Sequence, residues 1–278
     1  MNWHIVADSS CDLFNLPECP PDADFSTVPF AITIGDKTYI DGEDMPVAEM
    51  LDANEQHGVS AHTACPSAQD WIERFSAPGP VIAFTISSEL SGSYNSACAA
   101  KQMILEKEPD KQIAIIDTRA TGPETVLLIR KVCGLIREGL SVKSIEKKLF
   151  EAAEKTHILF ALASYHNLVR AGRVSRIVGL IATGLHLWGI GMGSDEGKIE
   201  MCCKARGSQK MISAMTEEIK RIGLSGKEIV ISHCQNLEAA LGLKEKLCEM
   251  VKDLKVDIIP TRGLDSFYAE RKGLIVGF

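Results

Sequence analysis

The sequence has none of the short signatures that mark the commonest enzyme chemistries. No G-x-G-x-x-G occurs: Gly189, Gly191 and Gly193 come nearest, and position 194 is serine. There is no G-x-x-x-x-G-K-[ST] phosphate loop, no H-E-x-x-H and no G-x-S-x-G elbow. These absences argue against the chemistries those motifs serve, a standard serine hydrolase among them. The nine cysteines contain no C-x-x-C pair, and the seven histidines show no metal spacing. Tetrahedral zinc sites draw on such close pairs, so no metal site and no cofactor are expected. Positive charge is scarce as well: 30 Lys and Arg face 37 Asp and Glu, a net charge of -7. Nucleic-acid binding and adhesion to anionic membranes both need a basic surface, so neither is expected.

What is present is an ordinary globular composition. The chain has 278 residues, 45% hydrophobic and 24% charged, enough for a sizeable core in one or two domains. Asp8 and Asp12 follow only a few apolar residues, which argues against a signal peptide, and the cysteines read as reduced thiols in a cytoplasm. One apolar run needs a membrane test. Between Arg176 and Asp195 lie 18 uncharged residues, interrupted by five glycines and His186. The expectation is a helix to about Thr183, a break at Gly184 and then a strand, with no stable membrane insertion.

Periodicity predicts an α/β protein. The first half alternates strand and helix: Trp3–Ala7, Thr27–Ile34, Lys37–Ile40, Val81–Ile86 and Ile113–Ile116 read as strands. Helices are expected between Pro46 and Gly58, after a Ser67 cap, up to about Glu106, and over two later stripes starting near Leu128 and Val142. That is the pattern of a parallel sheet flanked by helices. A second, smaller α/β domain starts near Thr156. Its strands are His157–Ala163, Leu185–Met192, Ile199–Lys204, Ile229–Ser232, Val256–Pro260 and Leu274–Gly277. One helix there is expected to bury Leu237, Ala240, Leu241, Leu247, Cys248 and Val251. The domains are therefore expected over 1–155 and 156–278.

Four polar, turn-rich stretches stand out: Asp8–Leu13, Thr63–Ser67, Ser87–Ala97 and Arg170–Val174. In open α/β sheets ligands bind beyond the carboxyl ends of strands, where the first and third stretches lie. The third also precedes a helix, so free backbone N–H groups, the hydroxyls of Ser91 and Ser93 and the close approach allowed by Gly92 suit a small carboxylate or phosphate. The same serines serve equally well as ordinary helix caps. Arg170 and Arg173 suit either a guanidinium clamp or a solvated helix end.

Taken together and in order, these blocks resemble the DegV family of bacterial lipid-binding proteins. Asp8–Leu13 is similar to its opening motif, and Val28-Pro29-Phe30 with Tyr39–Asp44 to its next block. Thr63–Ser67 is similar to T-S-x-P-S, Ile86–Ala97 to I-S-S-x-L-S-G-T-Y-x-S-A, and Ala171–Ser175 to G-G-R-I-S. The resemblance implies two α/β domains that hold one long-chain fatty acid between them. It implies hydroxyls of Thr63 and Ser91 on the carboxylate, with Gly92 beside them and Arg173 near the head group. Acyl-tunnel candidates are Phe30, Ile32, Phe160 and, from the uncharged run, Ile181. It further implies a carrier and not an enzyme, with catalysis in a partner, a separate fatty acid kinase. The chain departs from the family's closing G-x-H-x-G-P-G pattern: Gly263–Gly273 contains no histidine. The alternatives are an enzyme acting on a small phosphorylated or carboxylated metabolite at the same loops, which would need a compact polar pocket, and a protein-interaction module.

Overall fold

Residues 2–56, 59–174, 187–224 and 226–278 are described by the computed structural model. The continuous apolar runs become central strands of a parallel sheet. β1 (Trp3–Asp8) pairs in parallel with β2 (Ala23–Val28) on one side and with β6 (Val81–Thr85) on the other, and β6 pairs with β7 (Ile113–Asp117). Every residue of β6 is buried, because helices cover both faces and no polar alternation is needed. Val6 and Ala83 face α2 (Ala68–Phe75) and α3 (Ser93–Leu105). Their chain neighbours Ile5 and Ile82 face the opposite way, onto α4 (Gly122–Arg137) and α5 (Val142–Ala153).

The expected strand over 27–34 is two strands in two sheets. Thr27 and Val28 end β2, while β3 (Ala31–Ile34) pairs antiparallel with β4 (Lys37–Ile40) and β5 (Ala61–Ala64). Pro29 has no N–H to give a ladder, so the chain leaves one sheet there and enters the next. α1 (Val47–Asn54) follows β4, shorter than the span anticipated.

The second half is a six-stranded mixed sheet in the order β10-β9-β8-β13-β11-β12. Its strands are β8 (Ile158–Leu162), β9 (Leu187–Gly193), β10 (Ile199–Arg206), β11 (Glu228–His233), β12 (Lys255–Pro260) and β13 (Leu274–Gly277). α6 (His166–Arg170) follows β8; α7 (Ser208–Ile222) and α8 (Leu237–Met250) cover one face of the sheet. α8 buries Ala239, Ala240, Leu243 and Leu247, whereas Leu237, Leu241 and Cys248 are exposed. The buried stripe is displaced from the expected one, because Leu237, Leu241 and Cys248 sit on the adjoining row of the helix. The helix expected up to Thr183, with Ile181, lies outside the described residues.

α4 joins the halves. It packs against β11 and β13 of the second sheet as well as against the first. Eleven of its 16 residues are buried, as a helix lying between two sheets requires. A short helix, α9 (Gly263–Ala269), completes the fold and lies against α1.

Candidate functional site

The polar stretches of the first half converge at the carboxyl ends of β1 and β6, and Asp8 organises them. Its Oδ2 accepts hydrogen bonds from the Ile86 amide at 3.0 Å and the Ser93 hydroxyl at 2.7 Å, and its Oδ1 accepts from the Ser10 hydroxyl at 2.5 Å. Burial pushes the Asp8 carboxyl up from its ordinary pKa, and these bonds pull it back. The loop 86–92 is thereby fixed in front of α3. Ser93 donates its amide to Ser91 Oγ at 3.3 Å, and Gly92 opens the helix. A Cβ on Gly92 would lie 3.4 Å from Cys65 Sγ, so this loop lies directly against the end of β5. Thr63, on β5, shares a hydrogen bond of 2.8 Å with the hydroxyl of Tyr268 on α9.

α9 is held in place from the first half. Asp41 accepts the Gly263 and Leu264 amides at 2.9 and 3.0 Å, and Asp12 accepts the Arg262 amide at 2.7 Å. The buried Arg262 guanidinium donates to the carbonyls of Leu13 and Asp41 and to Thr27 Oγ1, and lies 4.3 Å from the centre of the Phe14 ring. The Asp8–Leu13 stretch is thus framework around the site. Opposite, the turn between β9 and β10 docks on the strand ends of the first sheet. Ser87 Oγ donates to the Gly197 carbonyl at 2.7 Å, and Arg119 donates to the Asp195 carbonyl at 3.1 Å.

These elements enclose a cavity of about 350 Å³ between the two halves. That is within the usual range for small-molecule sites. Its walls are mostly apolar, with contributions from Ile86, Leu90, Leu162 and Ile199. Thr63, Ser91, Gly92, Arg173, Phe30 and Phe160 all line it. Arg173 is exposed and donates to the Ala171 carbonyl at 3.3 Å. Ile32 does not line it. It is fully buried in a cluster with Met50, Leu51 and Tyr39, across the ladder from Thr63. Ile181 lies outside the described residues.

Four polar lining residues escaped the sequence reading: Arg119, Thr121, Asp265 and Tyr268. Arg119 follows β7, where the strand-end rule points to it. Asp265 and Tyr268 are three positions apart on α9, a helix of seven residues, too short to give a period. A second, polar cavity of about 290 Å³ adjoins the first and shares Arg119, Ile158 and Gly193 with it. There Glu124 accepts the Thr156 hydroxyl at 2.8 Å, and burial pushes its carboxyl up to about 7. Among the described residues no three potential metal ligands cluster, and no helix is long and apolar enough to cross a membrane.

Comparison with known proteins gives concordant matches. A family model described as "Uncharacterised protein, DegV family" matches residues 2–271. A DegV domain-containing protein of Streptococcus pneumoniae, spr0652, is 36% identical over 278 residues, covering 100% of this chain and 99% of its own. The crystal structure of the Streptococcus pneumoniae Fatty Acid Kinase (Fak) B3 protein loaded with linoleic acid superposes with a TM-score of 0.97 at 36% identity, covering 100% of this chain and 99% of that one. A DegV family protein from Eubacterium eligens loaded with heptadecanoic acid superposes with a TM-score of 0.94 at 31% identity, covering 99% and 98%.

Proposed function

The chain belongs to the DegV family, and on that premise we propose that it binds one long-chain fatty acid in the cavity between its halves. The observation that carries this reading is the cavity itself: apolar walls, with uncharged donors where the loop 86–92 meets β5. We assign the carboxylate to the hydroxyls of Thr63 and Ser91, with Gly92 allowing close approach. Tyr268 donating to Thr63 leaves the Thr63 hydrogen for the ligand. The amide end of α3 adds a favourable field for an anion. Arg173 stands near the head group, and Phe30 and Phe160 contact the acyl chain. Each buried methylene contributes about 0.8 kcal/mol, so the chain supplies most of the affinity and the hydroxyls supply orientation.

In this reading the protein is a carrier with no catalytic residues of its own. It holds the fatty acid between residues 1–155 and 156–278 and presents it to a separate fatty acid kinase. An enzyme acting on a small polar metabolite fits poorly, since such a substrate would leave the apolar walls unfilled. Native mass spectrometry of freshly purified protein, followed by lipid extraction, tests the reading. The expected result is one fatty acid per chain. A protein that is empty and takes up no added fatty acid would overturn it.

A further inference from the structure

Two carboxyl groups meet at the edge of the cavity, and neither is fully partnered. Asp12 and Asp265 are each 4% exposed. Oδ1 of Asp12 accepts the Arg262 amide at 2.7 Å, and Oδ1 of Asp265 accepts the Thr121 hydroxyl at 2.8 Å. The second oxygen of each, Oδ2, is buried with no hydrogen-bond partner among the described residues. Both free oxygens converge on Gly122. A Cβ there would lie 2.6 Å from Asp265 Oδ2 and 2.9 Å from Asp12 Oδ2. Only a glycine fits this point, which also has left-handed backbone (φ +51).

Counter-charge is outweighed at the pair: the Arg262 charge lowers the Asp12 carboxyl by less than the Asp41 charge raises it. Among the described residues Arg262 is the one fully buried cation, and its guanidinium serves Leu13, Thr27 and Asp41. Asp41 beside it adds negative charge, and Cys11 and Cys234 flank Asp12 as neutral thiols. Glu270, at the end of α9, turns away to Ser164 and Asn167. Arg119, Arg173 and the Tyr268 hydroxyl share the cavity wall with Asp265. Two carboxylates so close and so dry cannot both stay ionised. Burial accordingly pushes Asp12 up to about 7, and burial with the Asp12 charge pushes Asp265 well above the ordinary carboxylate range.

We propose that the Asp12–Asp265 pair sets which head groups the cavity accepts: it keeps one proton between its facing oxygens, and a carboxylate enters only together with a second proton from solvent. The proposal rests on the fatty-acid reading for its ligand. An uncharged head group on the same chain needs no second proton. Asp265→Asn alone would leave Asp12 carrying the same single charge as the half-protonated pair, so the variant that removes the linkage while keeping the shape is the double one, Asp12→Asn/Asp265→Asn.

The test measures affinities of hexadecanoic acid and hexadecanol for the wild type and the double variant Asp12→Asn/Asp265→Asn between pH 7 and 9. The ratio of wild-type to variant affinity cancels the ligand's own titration. For the acid, that ratio falls towards tenfold per pH unit, the slope of one proton taken up on binding. For the alcohol it stays flat. A flat ratio for the acid overturns the proposal. Infrared difference spectra of the ligand-free wild type and double variant provide an arm independent of any lipid. A protonated-carboxyl band present in the wild type and lost in the double variant supports the shared proton, and identical carboxyl bands in the two proteins refute it. If no lipid binds while that band is present, the fatty-acid reading falls and the proton-holding pair stands.

Discussion

Ser91 and Ser93 lie two positions apart and differ in what their hydroxyls are free to do. Ser93 gives its hydrogen to Asp8, whereas Ser91 accepts from the Ser93 amide and keeps its own hydrogen. Ser91→Ala is therefore expected to lower fatty-acid affinity by about 1.5–3 kcal/mol, the range of a charge-assisted hydrogen bond, roughly ten- to a hundredfold. Ligand titration reads this directly, and unchanged affinity would remove Ser91 from the head-group site. Both serines were visible in the sequence as donors at a strand end. Which one is free depends on Asp8, 85 residues before Ser93, and no local pattern carries that. Glu124 gives a pH prediction. Its folded-state pKa is raised from 4.5 to about 7, so the folded chain holds this proton where the unfolded chain has released it. The stability it contributes is whole below about pH 4.5 and is lost as pH rises to about 7. Glu124→Gln does not titrate and should gain on the wild type between pH 5 and pH 8 in urea unfolding. Parallel curves at the two pH values would count against this.

Secondary-structure elements were legible wherever burial on both sides erased alternation or helical period ran long. β1, β6, β7, α4 and α5 all fall where their apolar patterns place them. The misreadings have local causes. Pro29 splits one apolar run between two sheets, β5 is four residues of mixed polarity, and α9 is too short for periodicity. In α8 a leucine stripe one row over looked equally apolar and is exposed. Close contacts between elements rest on glycines whose purpose no pattern reveals. Gly277, in β13, faces the first turn of α4, and a Cβ there would fall 2.4 Å from the Glu124 amide nitrogen and 2.5 Å from the Pro123 carbonyl carbon. Backbone cannot swing aside as a side-chain tip can. Gly277→Ala should force α4 off the second sheet and destabilise by about 1–3 kcal/mol, the usual range for overpacking. Urea unfolding measures it, and a variant as stable as the wild type would mean that α4 shifts without cost.

The two halves are joined by contacts of very different character. Arg130 of α4 reaches Glu18 in the first half and Glu228 and Asp257 in the second, at 3.3, 2.9 and 2.6 Å. Those acids are 43 to 53% exposed, so water and salt screen them. Arg262 is the opposite case: its side chain and that of Asp41 are each 1% exposed. Removing a screened partner costs about 0.2–1 kcal/mol, whereas removing one partner of a buried pair costs about 3–5 kcal/mol because the other charge is left alone. Arg262→Met should therefore lose several times more stability than Arg130→Met in urea unfolding. Raising the salt should shrink the Arg130 effect and leave the Arg262 effect nearly unchanged. The Arg262 variant should also release α9, and with it the Tyr268 hydroxyl that meets Thr63, so fatty-acid affinity falls together with stability. Equal losses in the two variants, or equal salt sensitivity, would mean that the buried arginine does not hold the halves around the cavity.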